Sequence, residues 1–172
     1  STNSLETALT HFCFVNTHHY GLDTRVIVDV LVGLALTYQA LHQPDKATET
    51  IEQLIEFAWT LNDPEMLSVA HSGQARLALQ QGDLLSATQW VQSFNQPPNF
   101  PTMFCWLEVP AITQARVLVS ISSEQSLQTA MELLHHLRQG TEALRYTGQM
   151  IEIEVLQVLT LEQQGHHQQA LS

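Results

Sequence analysis

Apolar residues recur along this chain at three- and four-residue steps rather than alternating. Over 24–42 the stripe is Val28, Leu31, Ala35, Tyr38 and Leu41/His42, and over 47–61 it is Ala47, Ile51, Leu54/Ile55, Ala58 and Leu61. That period predicts a series of amphipathic helices, and no stretch alternates long enough to predict a strand. Polar residues punctuate the helices. Asn62-Asp63-Pro64-Glu65 offers an N-cap acceptor followed by proline at the first helical position. Gly82-Asp83 and Gly140-Thr141 each predict the end of one helix and the start of the next, and Gly165 the close of the last long one. Asn95–Thr102, NQPPNFPT, has prolines at 97, 98 and 101, which remove backbone donors and forbid helix. It is expected to be an extended connector, with a contact surface as the alternative.

The helices carry a repeat. Gln74-Ala75-Arg76 returns as Gln114-Ala115-Arg116, forty residues on. Ala47, Ala87, Ala130 and Ala170 each follow a tight turn, at spacings of 40, 43 and 40, with about three extra residues around Ser122–Ser126. Ala35, Ala75 and Ala115 precede the first three turns, and Val158 holds the corresponding place before Ala170. Small residues at matched positions let antiparallel helices approach to about 8–10 Å. The prediction is an all-α, right-handed α-solenoid of about four helix hairpins with a period near 40, in which neighbours complete each other's core. Residues 1–172 are expected to form a single repeat domain, with 1–20 the remnant of a preceding helix and 95–102 the connector. The start, Ser1-Thr2-Asn3, lacks a methionine and a signal pattern and reads as a cut from a longer chain.

Composition narrows the function. Charged residues are 13% of the chain and the net charge is −11, with six cations: Arg25, Lys46, Arg76, Arg116, Arg138 and Arg145. Phosphate backbones and anionic membrane surfaces need clustered Lys and Arg, so neither is an expected direct partner. No apolar run is long enough to span a bilayer. Cys13 and Cys105 form no CxxC motif and are read as reduced thiols of a cytoplasmic protein, one disulfide between them being the alternative. The nine histidines include the adjacent pairs 18–19, 135–136 and 166–167, which diverge on a helix and do not face one metal. No catalytic motif appears, so no enzyme activity, cofactor or metal is expected. Trp59, Trp90, Trp106, Phe57, Phe94 and Tyr38 are read as interhelix core, and Met131 and Leu134 as an ordinary packing stripe.

A small residue in the first helix, a Gly-Asp turn and an alanine early in the second resemble the tetratricopeptide (TPR) pattern, with a longer unit and without most of its aromatic signature. The stretches PAITQARVLVS and SLQTAMELLHHLRQGTEALRYTGQMIEIEVLQVLTLEQQGHHQQAL, with LALTYQALHQPDKATETIEQLIEFA and QARLALQQGDLLSATQWV before them, are similar to the superhelical repeats of MalT-type, ATP-dependent LuxR-family bacterial transcription activators. The resemblance covers about 24–171. It implies a non-catalytic effector-sensing segment that receives a small-molecule inducer or a regulatory protein. Its other partners would be the nucleotide-switch and helix-turn-helix modules of the parent chain, neither of which lies in this sequence. A homodimer is compatible with the open apolar ends of such a stack. The alternative is a stand-alone scaffold presenting a groove to a protein or peptide. In the TPR pattern the position after the alanine points into the concave groove, which makes Arg76 and Arg116 the first candidates for ligand contact; Gln39, Gln80, Glu152 and Gln163 are further lining candidates. The competing expectation is that each arginine pairs with a local acid such as Glu108 or simply caps helix ends.

Overall fold

The repeat is plainest in the turns. In the computed structural model of the chain, which describes residues 2–18, 23–94, 107–144 and 147–165, one residue at each hairpin turn takes left-handed backbone, His42 (φ 57°), Gly82 (φ 82°), Ser122 (φ 57°) and Gly165 (φ 79°), and Asn62 (φ 49°), between hairpins, does so too. The same hydrogen bond closes each turn, from that residue's N–H to the carbonyl three positions back, Gln39, Leu79, Val119 and Glu162, at 3.0–3.1 Å. Glycine adopts this conformation readily, whereas His42 and Ser122 hold it against the clash of their own Cβ.

Between these turns the described residues form eight helices and no strand. They are α1 (Thr2–Thr17), α2 (Thr24–Ala40), α3 (Pro44–Leu61), α4 (Pro64–Gln80), α5 (Leu84–Ser93), α6 (Pro110–Ile121), α7 (Glu124–Leu144) and α8 (Thr147–Gln163). Helix α4 starts as its sequence predicts: Asp63 is the N-cap, its Oδ1 accepts the N–H of Glu65 at 2.9 Å, and Pro64 follows. None of these helices is long and apolar enough to cross a membrane.

The chain divides into two compact units, the first holding α1–α4 with Leu107 and Glu108, the second α5–α8. In the first, α2 and α3 form the central hairpin, α1 packs on α2, and α4 lies against both α2 and α3. In the second, α6 and α7 form the hairpin, α5 packs on α6, and α8 lies against α6 and α7. Each unit thus repeats one arrangement of alternating second and first helices.

The alanines occupy the places the spacing gave them. Ala35, Ala47, Ala75, Ala87, Ala115 and Ala130 are all buried. In the second unit Ala130 packs with Leu118 and Val119, and Val91 and Leu133 close the cluster. The three extra residues of the third repeat lie between Ser122 and Ala130, where they add about one turn to the start of α7. Ser123 caps that turn reciprocally with Ser126. The Ser126 N–H donates to Ser123 Oγ at 3.1 Å, and the Ser123 N–H to Ser126 Oγ at 2.9 Å.

Three expectations need correction. Helix α7 runs through Gly140-Thr141 instead of breaking there. Leu134, Leu137 and Thr141 continue one buried stripe, and Thr141 Oγ1 donates to the Leu137 carbonyl at 2.6 Å. That packing outweighs the helix penalty of glycine, about 1 kcal/mol. Trp59 is 64% exposed and not core, because it sits one residue past the α3 stripe of Ala47, Ile51, Leu54 and Ala58. Val158 is 41% exposed, on an α8 face shared with Ile151, Val155 and Leu159, while Ala170, its expected cover, lies outside the described residues. The 95–102 connector, Cys105 and Trp106 lie outside them as well.

Candidate functional site

Helix α2 is buried on nearly every side from Ile27 to Ala35, and the one charge in that run is Asp29. A carboxylate taken out of water needs a partner, and Asp29, 7% exposed, has one: its Oδ1 accepts the backbone N–H of Leu107 at 2.9 Å. The carbonyl of the same residue accepts a hydrogen bond from Arg76 Nη1 on α4 at 3.0 Å. Arg76 Nη1 also pairs with Glu108 Oε2 at 3.0 Å, and the Glu108 side chain is fully buried. Burial pushes the Asp29 carboxyl up to about 6; the nearby Glu108 charge adds to the rise and the Leu107 N–H opposes it.

Gly33 stands one helical turn beyond Asp29 on the same face. A methyl group there would come within 2.6 Å of Phe12 Cε1 and 2.9 Å of Leu107 Cδ1. The missing Cβ makes room for both side chains. At Gly73, the counterpart forty residues on, a methyl would meet Val32, Ile51 and Leu54 at an ordinary 3.5–3.8 Å.

The second unit holds the matching arginine. Arg116 on α6 donates from Nη1 to Thr113 Oγ1 at 2.7 Å and pairs through Nη2 with Glu152 Oε1 on α8. Both arginines are therefore mostly buried, one residue past a seam alanine, and held by a glutamate farther along the chain, by 32 residues in one case and 36 in the other. Each arginine thus has an acid partner, Glu108 itself for Arg76, though one distant in sequence and not local. Two of the lining candidates, Glu152 and the arginine it grips, come together.

The glutamines fall elsewhere, at the C-terminal ends of the first helices. Gln81 Nε2 donates to Gln39 Oε1 at 3.2 Å and to Thr48 Oγ1 at 3.4 Å. Ser122 Oγ donates to Gln163 Oε1 at 3.0 Å. Gln80 is exposed at the end of α4, and it is Gln81 that joins this ladder. Ser122 and Gln163 also border an open cleft of about 1020 Å³ in the second unit, with Ser123, Gln125, Gln128 and Gln164 around it. Asp29, Gly33 and Ser122 were not singled out from the sequence. For Asp29 and Gly33 the signal was there: an acid and a glycine four apart inside the otherwise apolar run 26–36.

Among the described residues, no group of three or more His, Cys, Asp or Glu side chains stands close enough to hold a metal ion. The Cys13 thiol is free, with Sγ 3.9 Å from the Tyr38 hydroxyl. Around both arginines the geometry offers donors and acceptors in charge-balanced pairs.

Comparison with curated proteins and with solved structures gives no significant match. Comparison with family models does: one described as a MalT-like TPR region matches residues 2–172. With TPR-like hairpins, left-handed turns in a forty-residue register and that match over nearly the whole sequence, the chain belongs to the MalT-like TPR region family.

Proposed function

We propose that this region is the effector-sensing domain of a bacterial LuxR/MalT-like transcriptional regulator, where a small-molecule inducer or a regulatory protein is read by the faces of the first helices. The reading rests on one recurrence above all. In consecutive repeats an arginine follows the seam alanine and is oriented, mostly out of solvent, by a glutamate. Guanidinium and carboxylate so fixed can donate and accept at defined angles with little ordering cost on binding. Because each charge is balanced, such a face suits a neutral or zwitterionic polar group better than a bare anion, which would have to displace a glutamate. The domain binds and does not turn over its ligand. It signals when the ligand prefers one of two arrangements of the parent chain, coupling to the nucleotide-switch and helix-turn-helix modules.

The test is a thermal-shift screen of the 172-residue chain against cellular metabolites, each stabilising compound being repeated on the Arg76→Ala/Arg116→Ala variant. A compound that stabilises the parent but not the variant supports the reading. Compounds that stabilise both equally, with the variant's circular dichroism unchanged, would remove the arginines from the site.

A further inference from the structure

We propose that the α2–α4 face of the first unit is a peptide-reading site which the chain's own Leu107-Glu108 occupies, and that its external ligand is a short segment of a partner protein carrying an aliphatic residue followed by glutamate. Four features of one dipeptide are read separately. Asp29 takes the Leu107 N–H, Arg76 takes the Leu107 carbonyl, the Gly33 notch takes the Leu107 side chain, and Arg76 again takes the Glu108 carboxylate. Side chains that satisfy both the N–H and the C=O of one residue replace the backbone partners that a helix or strand would give it, and so can hold a segment that lies outside regular structure. The Gly33 notch is specific to this place, since its counterpart Gly73 has room for a methyl group. Of the occupant, Leu107 is 49% exposed and Glu108 is fully buried, so the seat opens to solvent on its Leu107 side.

This inference deepens the recognition reading above and rests on it, but it concerns Asp29, Gly33 and Arg76 rather than Arg116. A tethered dipeptide competes at an effective concentration in the millimolar range or higher, so a free peptide binds the parent protein poorly. The seat must first be emptied.

The probe is fluorescein-labelled acetyl-Trp-Leu-Glu-Val-Pro-amide, the chain's own 106–110 sequence, titrated by anisotropy into the 172-residue protein and its L107G/E108Q variant. The emptied variant is expected to bind at least ten-fold tighter than the parent. Adding R76A should abolish that gain, and replacing Glu by Gln in the peptide should weaken binding at least ten-fold. Equal affinity for parent and emptied variant, or indifference to R76A, overturns the proposal. Should L107G/E108Q fail to fold, amide exchange of Leu107 in the parent gives the answer. Millimolar peptide is expected to speed that exchange several-fold, and an unchanged rate overturns the proposal. If the peptide fails while a screened compound still responds to Arg116→Ala, this inference falls and the recognition reading stands.

Discussion

Asp29 should make the protein less stable at neutral pH than its shape allows, and Asp29→Asn should relieve it. The carboxyl is raised from 3.8 to about 6 in the folded chain, chiefly by burial. A folded pKa above the unfolded one means the folded state holds its proton more firmly. The associated stability is complete below about pH 4 and is lost as pH rises through 6. Two units at about 1.4 kcal/mol each set a ceiling near 3 kcal/mol, and residual solvation reduces this to about 1–2 kcal/mol. Asparagine keeps a carbonyl oxygen to accept the Leu107 N–H and removes the charge. At pH 7.5 the variant is therefore expected to melt about 3–6 °C above the parent. At pH 4 the two should coincide, the gap opening between pH 4 and 7. Thermal unfolding by circular dichroism across that range measures it. A variant less stable at pH 7.5, or one whose advantage does not change with pH, would refute the argument.

Other consequences are as direct. His42→Gly should stabilise by about 0.5–1 kcal/mol in urea unfolding, since the left-handed turn no longer meets a Cβ; a loss would contradict the shared turn geometry. Gly140→Ala should gain a similar amount if α7 is continuous there, whereas a real break at Gly140-Thr141 would turn the gain into a loss. Ala130→Leu should cost about 2 kcal/mol or more, because Leu118 and Val119 leave no space at that seam; a change under about 0.5 kcal/mol would place the residue outside it.

What the sequence made legible is what depends on near neighbours. The seam alanines, the Asp63-Pro64 start and the Gly82 and Gly165 stops each follow from a few adjacent residues, and all lie where the spacing put them. Even the three-residue excess was visible as a number, though not as an added turn of α7. Misreadings came where a local signal met a tertiary one. Gly140-Thr141 looks like a boundary until the stripe of Leu134, Leu137 and Thr141 is buried against neighbours. Trp59 looks like core by type, but one residue of helical rotation carries it outward. The site was half legible for the same reason. The two arginines stood out because they repeat and because cations are few. Asp29 and Leu107, 78 residues apart, had no signal linking them beyond an unexplained acid in an apolar run.

On the proposed function the first helices recognise and the second helices support. Hydrogen exchange of the 172-residue chain, with and without the compound or peptide that binds it best, separates the two roles. Protection is expected to gather on α2, α4, α6 and α8 around Arg76 or Arg116. Protection confined to α3, α5 and α7, with the first helices unchanged, would contradict it.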